Sequence, residues 1–170
     1  AALVPDGDRM RERPVALVLH GGPGGDHTGF KPSFSPLAAH VQLVYVDHRG
    51  QGRSARGDVA RYTLDENVED MEALRQYLGL GPVVSIGTSY GGMVAMAHAA
   101  RYPHSVSHLV LIVTAAHAGF NARARQIVAE RGTAEQQQVC AQLWAGELRT
   151  QAALAHYYEV MGPMYARNYD

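Results

Sequence analysis

The sequence has 170 residues, of which 46% are hydrophobic and 18% charged, a composition typical of a folded globular protein rather than a disordered one. The 15 basic and 16 acidic residues nearly cancel, so we expect neither nucleic acid nor a membrane surface as a partner. A single cysteine, Cys140, excludes an internal disulfide, and no apolar run reaches the roughly 20 residues that span a bilayer. No signal peptide is visible, so the expected compartment is the cytoplasm.

Strand and helix patterns alternate between residues 14 and 114. Thr63 and Glu66 form a capping-box pattern that predicts the start of a helix reaching Leu78, and a second helix is predicted over 92–101. Four short apolar runs predict strands: PVALVL (14–19), VQLVYV (41–46), VVSI (83–86) and LVLIV (109–113). Apolar strands separated by helices indicate an α/β fold with a mostly parallel sheet.

The pattern changes after about residue 118, where three helices follow one another without an intervening strand. Thr133 and Gln136 form a second capping-box pattern, and Gly162-Pro163 is predicted to end the third helix. We therefore expect residues 1–117 to be the N-terminal part of an α/β core and residues 118–170 to be part of an inserted helical cap.

The stretch GTSYGG places Ser89 between a predicted strand and a predicted helix. This context is typical of a nucleophile elbow, a sharp turn that holds a serine hydroxyl clear of the sheet. Small residues are needed two positions before and two after the serine, and Gly87 and Gly91 meet that need. A nucleophilic serine also needs N–H donors for the oxyanion, and one of them is the N–H of the next residue, Tyr90.

Two further glycine-containing segments follow strands: HGGPGG (20–25) and DHRGQGRS (47–54). With GTSYGG they resemble, in this order, the α/β-hydrolase fold family and within it the proline iminopeptidases, over roughly residues 14–118. The resemblance implies that Ser89 is the nucleophile, that the N–H groups of Gly22 and Tyr90 form the oxyanion hole, and that a helical cap follows the fourth strand. We interpret Arg49 as mainly structural, with a direct substrate contact as the alternative.

The histidine and the acid of a catalytic triad are not evident in the sequence. The elbow order is serine, then acid, then histidine, and the first acidic residue after Ser89 is Glu130, inside the predicted cap. His117 lies nearest a strand end but has no acid nearby. Four other histidines are interpreted as loop or surface residues: His20, His27, His48 and His156. We expect the acid and the histidine outside this chain, on a second fragment that carries the remaining core strands; the alternative is a catalytically inactive protein.

The resemblance also implies that carboxylates of the cap hold the free α-amino group of the substrate. Glu159, with the neighbouring Tyr158, is the candidate for this substrate-binding role; the alternative is a solvated glutamate beside tyrosines that pack the cap. Tyr157 and Met161 are considered as further pocket-lining residues.

The leading hypothesis is a serine hydrolase that works through an acyl-enzyme and releases N-terminal proline or a similar small residue from a peptide. An esterase, lactonase or amidase of the same fold, acting on small molecules, is the first alternative. A non-catalytic binding protein that keeps the fold is the second. We expect no cofactor and no metal.

Overall fold

The computed structural model describes residues 12–166. Their contacts divide the chain into two compact units, the first ending at Ala116 and the second beginning at His117.

The first unit contains a four-stranded parallel sheet. Its strands are β1 (Val15–Leu19), β2 (Gln42–Val46), β3 (Val83–Thr88) and β4 (Val106–Ile112), in the order β2-β1-β3-β4. The parallel sheet predicted from the four apolar runs is confirmed. β4 begins three residues before its apolar run, because Val106 already pairs with Val83 at the start of β3.

Helices connect the strands of the first unit. A short helix α1 (Lys31–Phe34) lies between two 3₁₀ turns, and α2 (Leu64–Tyr77) and α3 (Tyr90–Arg101) are the two long helices. At the start of α2, Thr63 accepts the N–H of Glu66 at 3.2 Å, as predicted. The reciprocal half of that capping box was predicted wrongly, because the Glu66 carboxylate instead pairs with Arg61 at 2.9 Å and Arg49 at 2.8 Å.

The core of the first unit lies between the sheet and the two long helices. Its buried side chains come from all three strands β1 to β3 and from one face of each helix: Leu17, Leu19, Val46, Val68, Met71, Val83, Val94 and Ala95. β4 lies at one edge of the sheet formed by the described residues, and its Leu109, Val110 and Leu111 are each about 40% exposed. Burial of apolar surface on β1 and β3 therefore fixes the strand ends from which the candidate site is built.

The second unit consists of three helices: α4 (Gly119–Arg131), α5 (Ala134–Trp144) and α6 (Gln151–Tyr165). The predicted capping box at the start of α5 is confirmed, since Thr133 and Gln136 each accept the other's backbone N–H. A small core joins the helices: Val128, Val139, Cys140, Tyr157 and Met161. None of the helices among the described residues is long and apolar enough to cross a membrane.

The predicted end of the third helix at Gly162-Pro163 is wrong, because α6 continues to Tyr165 with Pro163 inside it. Proline lacks an N–H and therefore removes one hydrogen bond from the ladder, here within the last turn of the helix. The Tyr165 hydroxyl lies 2.8 Å from that of Tyr157, which ties the last turn to the buried part of the same helix.

Candidate active site

Ser89 occupies the turn between β3 and α3. Its backbone has a φ of 51° and a ψ of −119°, a region that L-residues other than glycine rarely adopt. The strand, the sharp turn and the helix predicted around this serine are therefore present. Ser89 is partly exposed, so the residue is not sealed inside the core.

Two glycines allow the turn to pack closely. A Cβ atom on Gly87 would lie 2.5 Å from the Cα of Gly92, and one on Gly91 would lie 2.6 Å from the carbonyl oxygen of His20. Heavy atoms do not approach this closely without overlap, so both positions require glycine. The predicted reason for the two glycines, close approach of strand and helix, agrees with these distances.

The HGGPGG segment lies directly beside Ser89. A Cβ atom on Gly21 would be 3.0 Å from the Cβ of Ser89 and 3.7 Å from its hydroxyl oxygen. Gly22 has a φ of 131° and is exposed, and its peptide bond to Pro23 is cis. Within residues 12–166, the N–H groups of Gly22 and Tyr90 have no hydrogen-bond acceptor. Their assignment to an oxyanion hole stays a prediction.

The side chain of Tyr90 packs into the core of the first unit. Its hydroxyl accepts a 2.8 Å hydrogen bond from the amide nitrogen of Asn67, which is buried on α2. Its ring contacts the His48 ring edge to face, with 5.5 Å between the centroids. These contacts fix the residue that follows Ser89, and with it the backbone N–H that was predicted to donate in an oxyanion hole.

His20 and His48 lie in the loops after β1 and β2, as interpreted from the sequence, and both are fully buried. The backbone N–H of His48 donates to His20 Nε2 at 3.2 Å, which leaves His20 Nδ1 as the nitrogen that donates to the Gly21 carbonyl oxygen at 2.7 Å. His48 Nε2 lies 3.2 Å from the carbonyl oxygen of His20. The pair joins the first residue after β1 to the second residue after β2. The sequence signal for the pair was a histidine within two residues of the end of each apolar run.

Burial lowers the pKa of the His48 imidazole from 6.5 to about 4, and the adjacent His20 contributes to the lowering. The unfolded chain binds a proton near pH 6.5, whereas the folded chain does not until about pH 4. We therefore expect the free energy of unfolding to fall by about 3 kcal/mol as the pH drops across this window. Urea denaturation at several pH values measures this slope.

The matched comparison for this pH dependence is His48→Gln against His108→Gln, because His108 is exposed on β4. His48→Gln should flatten the slope between pH 6.5 and 4, and His108→Gln should leave it unchanged. Equal slopes for wild type and His48→Gln would contradict the prediction.

His27 is paired with a carboxylate rather than exposed. Its Nδ1 lies 2.9 Å from Asp47, and its backbone N–H donates to the same oxygen at 2.7 Å. The second oxygen of Asp47 accepts the N–H of Arg53 at 2.9 Å. Burial acts against ionisation of Asp47, but the hydrogen bonds from Arg53 and His27 outweigh it and lower the pKa of the carboxyl group. The pair connects the loops that follow β1 and β2.

Arg49 holds the loop after β2 against α2. It donates two hydrogen bonds to Asp70, at 2.7 and 2.6 Å, and its third nitrogen lies 2.8 Å from Glu66. All three guanidinium nitrogens are thus used within the first unit. The arrangement agrees with the mainly structural role predicted for Arg49.

The two candidate substrate-binding residues lie on α6 of the second unit. Glu159 and Tyr158 are exposed, the latter by 57%, and their substrate-binding role stays a prediction. Tyr157 and Met161 are instead buried in the core of that unit, so they do not line an open pocket. His117 accepts the N–H of Gly119 at 3.0 Å. Among the described residues, no three metal-binding side chains come together.

Comparison with known proteins places this geometry in a family. A family profile described as alpha/beta hydrolase fold matches residues 14–151. The proline iminopeptidase PfmaB of Pestalotiopsis fici is 37% identical over 108 residues, which cover 61% of this chain and 37% of that protein. The chain spans well under half the length of the curated relatives it matches.

Solved structures give the same result. The proline iminopeptidase-related protein TTHA1809 from Thermus thermophilus superposes with a TM-score of 0.57 and 31% identity, over 61% of this chain and 37% of that one. VinJ superposes with a TM-score of 0.74 and 25% identity, over 97% of this chain and 60% of that one. Since the family profile matches most of its length, the chain belongs to the α/β-hydrolase fold family.

Proposed function

We propose that the protein containing this chain is a serine hydrolase in which Ser89 is the nucleophile. The observation that carries the proposal is the backbone of Ser89, at a φ of 51° on a tight strand-to-helix turn with Gly21 packed against its side chain. A non-glycine residue in this conformation is unfavourable by about 1–3 kcal/mol, and such residues cluster at functional sites.

The proposed reaction forms and then hydrolyses an acyl-enzyme. Ser89 Oγ attacks the substrate carbonyl carbon while a histidine takes the hydroxyl proton, and the carbonyl oxygen becomes an oxyanion. The N–H groups of Gly22 and Tyr90, free of acceptors among the described residues, stabilise that charge. The histidine returns the proton to the leaving amine, and water then attacks the acyl group by the same route.

We further propose that the triad acid and histidine come from polypeptide outside this chain. In the first unit, the two histidines that contact a carboxylate among the described residues are His27 and His98. Both oxygens of Asp47, the partner of His27, already accept backbone N–H groups. His98 is fully buried against Glu72. These surroundings support structural roles for both pairs.

The proposed substrate is a peptide with an N-terminal proline or a similarly small residue. The support is the name of the relatives, proline iminopeptidase, at about a third identity. We propose that the helical unit acts as a cap and that its exposed Glu159 and Tyr158 contribute to binding the substrate's α-ammonium group.

A fluorophosphonate probe tests the proposed function, and the protein used is the full natural form purified from its source. We expect one probe molecule per protein, attached to the tryptic peptide that contains Ser89. Prolyl p-nitroanilide should be hydrolysed and its N-acetyl derivative should not. Absence of labelling would support the binding-protein alternative, whereas labelling with ester hydrolysis alone would support the small-molecule hydrolase.

The role of Glu159 is tested by Glu159→Gln. Loss of a charge-assisted contact to the α-ammonium group should raise KM for prolyl p-nitroanilide about 10- to 100-fold with little change in kcat. The matched control is Glu130→Gln, which removes another exposed carboxylate of the same unit. The measurement is the steady-state KM and kcat of both variants. The same measurement with p-nitrophenyl acetate, which has no ammonium group, serves as the reference. Equal KM values for the two variants would argue against this role.

A further inference from the structure

The end of β4 holds the backbone of Ser89 on both sides. The Ser89 N–H donates to the carbonyl oxygen of Ile112 at 3.0 Å. The Thr114 hydroxyl donates to the carbonyl oxygen of Ser89 at 2.7 Å. Both peptide groups that flank the proposed nucleophile are thus bonded to a segment three residues long.

The hydroxyl of Thr114 is not needed to satisfy the Ser89 carbonyl. That oxygen already accepts two N–H groups at the start of α3, from Gly92 at 2.9 Å and from Met93 at 3.3 Å. A carbonyl oxygen with such partners is satisfied. The Thr114 hydroxyl adds a third bond to the same oxygen, from the side of β4, so its effect is to fix the direction of the carbonyl group.

The segment adopts an unusual conformation to reach Ser89. Val113, between the two bonding residues, has a φ of 42° and is 82% exposed. A β-branched residue in this region is unfavourable, and an exposed valine gains little burial to offset it. The chain leaves the strand direction directly after Ile112, and the Thr114 hydroxyl then meets Ser89.

The first turn of α3 is shaped around Thr114 as well. A Cβ atom on Gly92 would lie 2.6 Å from both the Cβ and the hydroxyl oxygen of Thr114. A glycine at this position therefore lets the threonine enter between the strand end and the helix. Gly92 is the third glycine of the turn, and its contact with Thr114 explains why a glycine occupies this position.

We propose that Thr114 is a positioning residue for the nucleophile. By fixing the Ser89 carbonyl it orients the peptide group between Ser89 and Tyr90, which carries the Tyr90 N–H proposed for the oxyanion hole. This inference rests on the proposed nucleophilic role of Ser89. Because the alignment matters most in the transition state, its loss should lower kcat and leave KM nearly unchanged.

The test compares Thr114→Val, which keeps the shape but removes the hydroxyl, with Thr114→Ser, which keeps the hydroxyl. In the full protein, we expect Thr114→Val to lower kcat and the rate of fluorophosphonate labelling about 10- to 100-fold, with KM within twofold. Thr114→Ser should restore both to within about threefold of wild type. A Thr114→Val protein with wild-type rates, or a serine variant as slow as the valine variant, would overturn the proposal.

Amide hydrogen exchange over residues 88–93 gives a second readout that does not depend on activity. Exchange in this segment should be about tenfold faster in Thr114→Val than in wild type or Thr114→Ser, while exchange in β1 stays unchanged. If the wild-type protein takes up no probe, the proposed function fails, and exchange alone then decides whether Thr114 fixes Ser89. Unchanged exchange in the valine variant would refute the positioning role.

Discussion

Replacing Ser89 with alanine is expected to lower kcat by at least about four orders of magnitude and to abolish fluorophosphonate labelling. The reason is that Ser89 is the group proposed to form the covalent bond to the substrate, and neighbouring backbone donors cannot replace it. The measurement is the hydrolysis rate of prolyl p-nitroanilide, together with the intact mass after incubation with the probe.

Ser107→Ala is the matched control for this substitution. Ser107 is an exposed serine on β4 whose hydroxyl lies 3.3 Å from His108 and contacts no part of the turn. Its loss should leave rate and labelling unchanged. A Ser89→Ala protein that is still labelled would place the nucleophile elsewhere.

Replacing Gly91 with alanine is expected to have the largest effect on stability. The new Cβ would overlap the carbonyl oxygens of Leu19 and His20, and backbone at the end of a central strand cannot move aside without breaking the sheet. Overpacking of this kind costs about 3 kcal/mol or more, a large part of the stability of a small domain. Urea denaturation followed by circular dichroism gives the free energy of unfolding.

Gly57→Ala provides the comparison for Gly91→Ala. A Cβ on Gly57 would have no atom within 4 Å, and its φ lies outside the left-handed region, so the free energy of unfolding should change by less than about 1 kcal/mol. If Gly91→Ala were as stable as Gly57→Ala, the strand and helix would not be in the close contact described.

Much of the fold could be predicted from the sequence because the two central strands, β1 and β3, are buried on both faces. A continuous apolar run such as residues 14–19 marks such a strand without any knowledge of its neighbours. The short helical turns between residues 27 and 39 were not predicted, since their few residues have no apolar period. The prediction at Pro163 was wrong for a different reason. The free-energy cost of a proline in the last turn of a helix is small enough for tertiary contacts to override it.

The candidate site could be predicted only where all the residues that define a motif lie in one short segment. Ser89 and its glycines lie within six residues, so the turn could be recognised from spacing alone. Thr114 contacts a residue 25 positions away, and His20 and His48 are 28 positions apart. These contacts depend on the register of neighbouring strands, which the sequence alone does not give. The same limit applies to His27, whose carboxylate partner lies 20 positions away.

The single cysteine of the chain has a practical consequence. Cys140 is buried among the helices of the second unit, where burial raises the pKa of its thiol. A thiol that is both buried and protonated reacts with alkylating reagents only when its surroundings open. The rate of alkylation of this one sulfur atom therefore reports how often the helical unit opens, because the α/β unit contains no cysteine to add to the signal. The chain carries this probe without any engineering.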